Sequence, residues 1–478
     1  MPSSPPTATR VRWLVCGPCR PTPSGRAFLL TEDTFARQFE DAARGLSVTT
    51  DDRIGSGDAQ THDVSFARLS ALGLAEVVSA LPGLHALRAL HTSLSSATAW
   101  GSEEAAHLRS VMGTGRLAAT LYQALQGAPA PQAARRGVLT ALEEALFGTA
   151  LDVLQHPRVA PLESTWRGLH WLWTHCPPAA GMDLGVLDTG PHQLLEALEQ
   201  CLDVPPLERP DACFILDAGS DPETLHQLAA LGEQAAVPMV FPVPPTLATG
   251  QQEPAWSRLR ADEASRWLGA ALNPVVLVSE QQGAVRRECF GSPVLAVAAL
   301  LAASFRDTRT FARVVGPGSG TKAPAVWHPR PGSKLATEAG LSLREQQRLA
   351  AQGVLGVSGW WDSDAVQLAA APTVYAGRDA TTFAAQLLTG RIVRLAQEVA
   401  GRLPPDASPD AVAAVFSRAG EVFLPTGSGR DCQLQGRVVS AGRGERAVHV
   451  RASLRPELAG THVQLELTLP LTAASGRM

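Results

Sequence analysis

The sequence predicts a mixed α/β (α+β) protein with parallel and antiparallel strands flanked by helices, on three observations. Ala212 to Asp217 (ACFILD) and Pro238 to Val243 (PMVFPV) are continuously apolar runs joined by a helix-like stretch, Pro222 to Ala235, the pattern of a parallel unit buried on both faces. Pro293 to Phe305 is an apolar helix of the kind found inside a core. Val463, Leu465, Leu467 and Leu469 alternate with Gln464, Glu466 and Thr468, which marks a half-buried strand.

At 478 residues there is room for two or three domains and a large core. Lys and Arg number 41 against 45 Asp and Glu, and a net charge of -4 lacks the electrostatic footprint of a nucleic-acid binder or a basic membrane-surface protein. With 45% hydrophobic and 18% charged residues the composition is globular rather than disordered. No apolar run reaches the roughly 18 residues that span a bilayer. The first residues, MPSSPPTATR, lack the apolar core of a signal peptide, so the expectation is a soluble, cytoplasmic protein without membrane insertion. Seven irregularly spaced cysteines argue against a secreted disulfide framework.

Residues 1–9 form a Pro/Ser/Thr leader expected to be disordered. Arg10 to Cys16 reads as a strand, ended by the Gly/Pro-rich loop Gly17 to Gly25, and Arg26 to Leu30 as a second, short one. Thr31 and Asp33 offer N-caps to a helix carrying Phe35, Phe39 and Ala42 on one face, with Gly45 as its stop. Leu46 to Thr50 and His62 to Phe66 read as strands around a turn at Gly55 to Asp58, and Leu74 to Leu94 is helical in pattern but split by Pro82. Residues 10–95 thus read as a small but complete first domain. Residues 96–134 read as a linker or helical connector, with a helix from Glu103 to Leu125 and a turn at Gly127 to Gln132.

Residues 135–471 are the second domain and 472–478 a tail. Val138 to Leu154 is helical in spacing, and Pro157 and Pro161 bracket a turn before the helix Leu162 to Trp173. Pro274 to Ser279 (PVVLVS) supplies a third apolar strand after the parallel pair. Helices at Leu343 to Gln352 and Thr381 to Leu403 lie on either side of the Trp360–Trp361 pair. Strands at Leu434 to Ala441, Ala447 to Leu454 and Val463 to Leu469 close the sequence.

The sharpest chemical motif is Cys16-Gly17-Pro18-Cys19, the dithiol spacing of thioredoxin-like redox sites. Such sites need a helix N-terminus to stabilise the first thiolate, and the following Arg-Pro-Thr-Pro-Ser-Gly opposes a helix. A zinc site would need a second pair beside Cys16 and Cys19, and none follows. His170 and His175, five apart, are far from any carboxylate cluster. Gly316 to Lys322 has a phosphate loop's composition but not its order, since Ala323 follows Lys322, and no G-x-S-x-G elbow occurs. The sequence therefore points to a protein that is not an enzyme, with no catalytic residue, metal site or cofactor. In the helix containing Leu162-Glu163-Ser164-Thr165-Trp166-Arg167-Gly168-Leu169-His170-Trp171-Leu172, Trp166, Leu169 and Leu172 are expected in the core, and Glu163 and Arg167, four apart, paired on its side.

The run His156 to Leu169 (HPRVAPLESTWRGL) resembles the "HP-x-F-x-x-LE-x-x-WRGL" pattern of the large sheath subunit (TssC, VipB) of bacterial type VI secretion systems. Later segments follow in the same order: Trp256 to Trp267 before Leu272-Asn273-Pro274, Ser304 to Gly320, Leu341 to Gly353, and Leu454-Arg455-Pro456 with Val463 to Leu471. Trp13 to Cys16, Gly25-Arg26, Thr31 to Phe39, LSVTTDDRIG and LGLAEVVSALPGLHALRAL together resemble the small sheath subunit (TssB, VipA), a separate polypeptide in that family.

The resemblance implies a contractile tail-sheath-like fold, small-subunit-like over 10–95 and large-subunit-like over 135–471, fused and packed as one body. It implies a structural, self-assembling part of a contractile injection system, with other copies or sheath subunits, an inner tube and baseplate proteins as partners. Trp166, Arg167, Gly168, Leu169 and Trp171 are expected to anchor the core, and Leu465, Leu467 and Leu469 to seat the last strand. Two departures stand out. The short 96–134 segment replaces the arm-bearing ends through which family members exchange strands, and the helix gripped by the recycling AAA+ ATPase has no counterpart. Those departures favour an alternative in the same system, a paralogue that caps, initiates or regulates assembly without polymerising; a thioredoxin-like protein is the alternative of another class.

Overall fold

The computed structural model of the chain describes residues 10–53, 59–97, 100, 102–112, 118–119, 121–122, 132–219, 221–246, 254–316, 319–423, 433–440, 445–454 and 461–471. The first part contains β1 (Val11–Gly17), β2 (Ala27–Leu29), α1 (Glu32–Ala42), β3 (Leu46–Asp51), β4 (Ala59–Val64), α2 (Leu74–Ala80) and α3 (Pro82–Ser96). Next come α4 (Ser102–Met112), α5 (Gln132–Gln155), α6 (Ala160–His175), β5 (Met182–Asp188), α7 (Leu194–Leu202), β6 (Ala212–Ile215), α8 (Pro222–Ala235) and β7 (Met239–Pro242). The middle holds α9 (Pro254–Ala261), β8 (Leu268–Leu272), β9 (Val275–Gln282), β10 (Val285–Gly291), α10 (Pro293–Thr308), β11 (Thr321–Lys322), α11 (Leu343–Ala351), β12 (Val354–Gly359) and β13 (Ala365–Leu368). The last part is α12 (Phe383–Gly401), α13 (Pro409–Phe423), β14 (Gln433–Ser440), β15 (Arg446–Leu454) and β16 (Val463–Pro470).

Local chemistry accounts for several boundaries. Thr31 caps α1 in a reciprocal box with Thr34, and α3 begins with Pro82 in its first turn, so the proline splits the 74–96 pattern into two helices. Ser342 and Glu345 form the same box at the start of α11. On β1, Val11, Trp13 and Val15 join one hydrophobic core while Leu14 and Cys16 join another, the period-two alternation of a strand buried on both faces.

The main sheet has the order β11-β13-β12-β8-β7-β6-β1-β5-β2. Every neighbouring pair from β12 through β5 is parallel, whereas β2, β13 and β11 add antiparallel edges. One face packs against α6 and α10, with α2, α3 and α5 in the same core; the other carries α7, α8, α9 and α11. A third core lies between α12, α13 and the antiparallel meander β14-β15-β16.

The mixed α/β class, with parallel and antiparallel strands flanked by helices, is what the structure contains, but one expectation needs correction. Residues 10–95 do not close on themselves. β1 is an interior strand, pairing with β5 along all of Val11–Gly17 and with β6 from Trp13 to Cys16, because its apolar side chains on both faces need cover that a 95-residue unit with one short hairpin does not supply. PVVLVS is a strand, as the sequence predicts, but it is β9 of a separate sheet, and the third parallel strand of the later series is β8. Asn273, at φ 81°, turns the chain after β8 and its side-chain amide bonds the carbonyls of Ala339 and Val357, so β9 leaves the sheet to pair with β10. The helix expected from Glu103 to Leu125 is described as α4 over Ser102–Met112; residues 113–117, 120 and 123–125 lie outside the described residues, as do 1–9, 54–58, 127–131 and 472–478.

The connector is not loose where it is described: Trp100 and Leu108 are buried in the main core, and Arg135 donates to the Ala97 carbonyl. Among the described residues no helix is long and apolar enough to cross a membrane.

Candidate functional site

The residues that matter most lie where 10–95 meets the rest of the chain, and three buried carboxylates organise that joint. Glu163, in the first turn of α6, is 1% exposed. Its carboxylate accepts from Arg167 Nε at 2.7 Å and from Arg287 of β10 through Nη1 at 2.7 Å and Nη2 at 2.9 Å. The two guanidiniums then reach into the first segment: Arg167 Nη2 and Arg287 Nη2 donate to the Leu72 carbonyl at 2.7 and 2.8 Å, and Arg167 also to that of Leu69. Glu280 of β9 pairs with Arg287 and accepts from the amide of Leu74 at the start of α2. Burial alone would lower the Arg287 pKa, but its bonds to Glu163 and the charges of Glu163 and Glu280 raise it above the ordinary arginine value.

Asp188 ends β5 with no exposure and accepts from the amides of Cys19 at 2.9 Å and Ser24 at 2.8 Å, while Arg20 Nε lies 3.3 Å away. It thereby holds the loop that crosses from β1 to β2. Asp211 precedes β6 and accepts from the Arg12 amide at 2.9 Å, Arg391 Nη1 at 2.9 Å and Arg394 Nη2 at 2.6 Å. Burial pulls the Arg391 pKa down, partly offset by Asp211. In all three clusters the carboxylate comes from residues beyond 135, and the clasped backbone comes from residues before 95.

Trp166 is wholly buried, donates Nε1–H to the Cys19 carbonyl at 2.8 Å and meets Phe35 and Phe39 of α1 edge-on at 5.3 and 5.8 Å. Gly168 faces α10 so closely that a Cβ there would stand 2.4 Å from Leu295 Cδ1. Leu169 is fully buried, and Trp171, 6% exposed, donates to the Lys322 carbonyl. Leu465, Leu467 and Leu469 are half-buried against the third core, far along the chain from this joint. Glu163 and Arg167 do pair, yet Glu163 is inside the protein rather than on the helix's side, where Arg287 of β10 also meets it. Sequence reasoning missed Arg287, Glu280, Asp188, Asp211, Arg391 and Arg394. The clues present were ionisable residues next to apolar strands, such as Asp211 before ACFI and Asp188 ending MDLGVLD.

The redox and nucleotide motifs fare differently. No helix follows Cys16-Gly17-Pro18-Cys19; Cys16 packs in one core and Cys19 in the other. Burial, then a bond to Cys213, raises the Cys16 pKa well above the ordinary thiol value, and burial with Asp188 raises that of Cys19, so both stay protonated thiols. His170 packs edge-on to Phe35 and tilted against Trp173, and His175 bonds Thr321 and the Trp171 carbonyl. Of the phosphate-loop-like run, residues 317–318 lie outside the described residues, and Lys322 pairs with Asp364 at 3.0 Å.

The parallel strands run in space as β5-β1-β6-β7-β8-β12, the doubly wound order whose ligand crevice opens at the carboxyl ends of its first and third strands, here β1 and β6. That point is closed by the chain itself. A Cβ on Gly17 would lie 2.7 Å from Leu216 Cβ, and the Leu216 amide donates to the Cys16 carbonyl at 2.7 Å. Among the described residues no group of three or more His, Cys, Asp or Glu side chains is placed to hold a metal ion. The clasp carboxylates are engaged by guanidiniums and amides, an arrangement that joins segments.

No family model matches the sequence, and no curated protein matches it. Among solved structures the chain is similar to the sheath complex of an extracellular contractile injection system, PVC, in its contracted state, with a TM-score of 0.38 and 10% identity over 66% of this chain and 79% of that one. It is similar to the helical sheath of the anti-feeding prophage (AFP) in its contracted state, with a TM-score of 0.36 and 10% identity over 65% and 79%. A sheath tail protein of Listeria innocua gives 0.36 and 12% identity over 60% and 63%. These structural neighbours are contractile sheath proteins.

Proposed function

We propose that this chain is a structural, non-enzymatic, cytoplasmic sheath subunit of a type VI-like contractile injection system, its small-subunit-like segment 10–95 and large-subunit-like segment 135–471 fused in one body. The observation that carries the reading is the clasp. The residues that resemble the large-subunit pattern, Glu163, Trp166, Arg167 and Gly168, include two, Trp166 and Arg167, that bind the segment resembling the small subunit, through Leu69, Leu72, Cys19 and α1. Residues that in separate chains would form an obligate interface are here an intramolecular joint with a continuous apolar core.

On this reading the function is mechanical: copies stack around an inner tube on a baseplate and contract to drive it outward. A second reading is a paralogue that caps, initiates or regulates assembly. It is favoured by the connector, whose described part packs against α3 and the core instead of projecting as an arm. Electron microscopy of the purified full-length chain across concentration and salt tests both. Long hollow tubes are expected for a self-sufficient sheath; discrete rings or monomers would overturn that reading in favour of the cap.

A further inference from the structure

The helical layer on the α7–α11 face of the sheet is electrically lopsided. Between Arg167 and Arg258 the sequence carries 12 carboxylates, of which Asp183, Asp188 and Asp211 are paired with arginines of other segments, and a single arginine, Arg209, which is turned onto the carbonyls of Val204 and Ala235. Glu196, Glu199 and Asp203 along α7 and Glu223 on α8 are exposed, and among the described residues none of them has an ion-pair partner. At the other end of the layer the surface is basic and aromatic. Leu343, Trp360 and Trp361 are 62%, 58% and 51% exposed. The Trp361 ring lies against Gly340, beside the start of α11, and the Arg330 guanidinium sits 5.9 Å above it. Lys334, Arg344 and Arg348 are exposed on the segments that flank this patch, against the solvent-facing carboxylates Glu338 and Asp362; Glu345 is turned back onto Ser342.

The two ends cannot satisfy each other within one molecule. α11 packs on β12, whereas α7 joins β5 to β6, so its carboxylates lie at least three strand spacings from β12 in the sheet order, about 14 Å, beyond a Debye length of about 8 Å at physiological ionic strength. Two neighbouring exposed indoles beside an exposed leucine, ringed by cations, have the make-up of an interface anchor. We propose that the Trp360–Trp361 patch docks on the acidic α7–α8 face of a second copy of this chain, head to tail. The carboxylates of one copy meet Arg330, Lys334 and Arg344 of the next while the indoles and Leu343 are removed from water. Such a contact is heterologous and repeats without closing unless its rotation happens to close a ring. It rests on the sheath reading above and names the surface through which copies would stack.

Sedimentation velocity of the full chain at low and high salt, with two exposed charge-reversed variants, tests the contact. The basic side is reversed by Arg330→Glu with Lys334→Glu and Arg344→Glu; the acidic side by Glu196→Lys with Glu199→Lys and Asp203→Lys. Wild type is expected to associate more strongly at low salt, and each variant to lose about tenfold or more in association. An equal mixture of the two variants re-forms contacts, because the intact basic patch of one meets the intact acidic face of the other and the two reversed surfaces, now acidic and basic, meet each other; a single chain carrying both reversals recovers wild-type association. Trp360→Ala with Trp361→Ala weakens association at every salt concentration. Association indifferent to both reversals, or not recovered in the doubly reversed chain, overturns the proposal. If microscopy shows tubes that persist in the variants, the docking contact falls and the sheath reading stands; if wild type is monomeric throughout, both fall.

Discussion

The first segment and the terminal meander are attached to the same body in opposite ways. Residues 10–95 enter through the backbone: β1 is hydrogen-bonded on both sides in the middle of the sheet, and Glu163, Asp188 and Asp211 clasp its flanks with buried charge. The meander β14–β16 forms its own sheet and meets α12 and α13 through side chains, with Leu465, Leu467 and Leu469 only half-buried. Interior strands and buried ion pairs cannot detach without exposing unpaired polar groups, whereas an apolar face can separate and re-form. The first segment is therefore part of the fold's foundation, and the meander is the module with freedom to move as a unit.

The largest effect that would break this contrast is at Glu163. Glu163→Ala leaves Arg287 buried without its main partner and is expected to cost ~3–5 kcal/mol of unfolding free energy, measured by urea denaturation; a cost under about 1 kcal/mol would mean that the clasp is incidental. Gly168→Ala forces a methyl against Leu295 and is expected to cost ~1–3 kcal/mol by overpacking. Leu467→Ala removes half-buried surface and is expected to cost about 1 kcal/mol. Its lost hydrogen-exchange protection should stay within β14–β16; spread into β1 would erase the distinction between the two attachments.

Smaller effects sharpen the picture around α6. Burial, with Arg167 for His170 and chiefly burial for His175, lowers both pKa values below 6.5. Below that value the unfolded chain takes up protons that the folded chain refuses, so stability falls as pH drops from 6.5 through the lower folded values, and this contribution is complete above about pH 7. Thermal melts across pH should show the slope, and His170→Gln with His175→Gln should flatten it. The least perturbing test is thiol labelling: a neutral maleimide should modify half-buried Cys201 before Cys16 or Cys19, and rapid native-state labelling of Cys16 would contradict its placement.

Much of the fold was legible wherever one short stretch held the whole signal. The apolar runs of β6 and β7, the uninterrupted apolar α10, the Pro82 break and the alternation of β16 all depend on neighbours within a few residues. What was not legible depended on distant partners. PVVLVS is a better strand by composition than Leu268–Leu272 (LGAAL), yet the left-handed turn at Asn273, held by carbonyls 66 and 84 residues away, sends it out of the sheet. β5 and α7 were overlooked behind a Pro/Gly-rich approach. At the joint, the spacing of Glu163 and Arg167 announced their pairing, but nothing local announces Arg287, 124 residues on, or that Glu163 is buried. The completeness assigned to residues 10–95 failed for the same reason, since the strands that cover β1 lie more than 160 residues later.

The most direct test of a two-segment body is to express the chain as two polypeptides cut between Met112 and Gln132. If the segments are partners fused into one unit, each piece alone is insoluble or unfolded, and co-expression yields a stable one-to-one complex with the circular dichroism and unfolding cooperativity of the intact chain. Isolation of either piece as a folded, soluble monomer, or failure of the two to associate, would contradict the account.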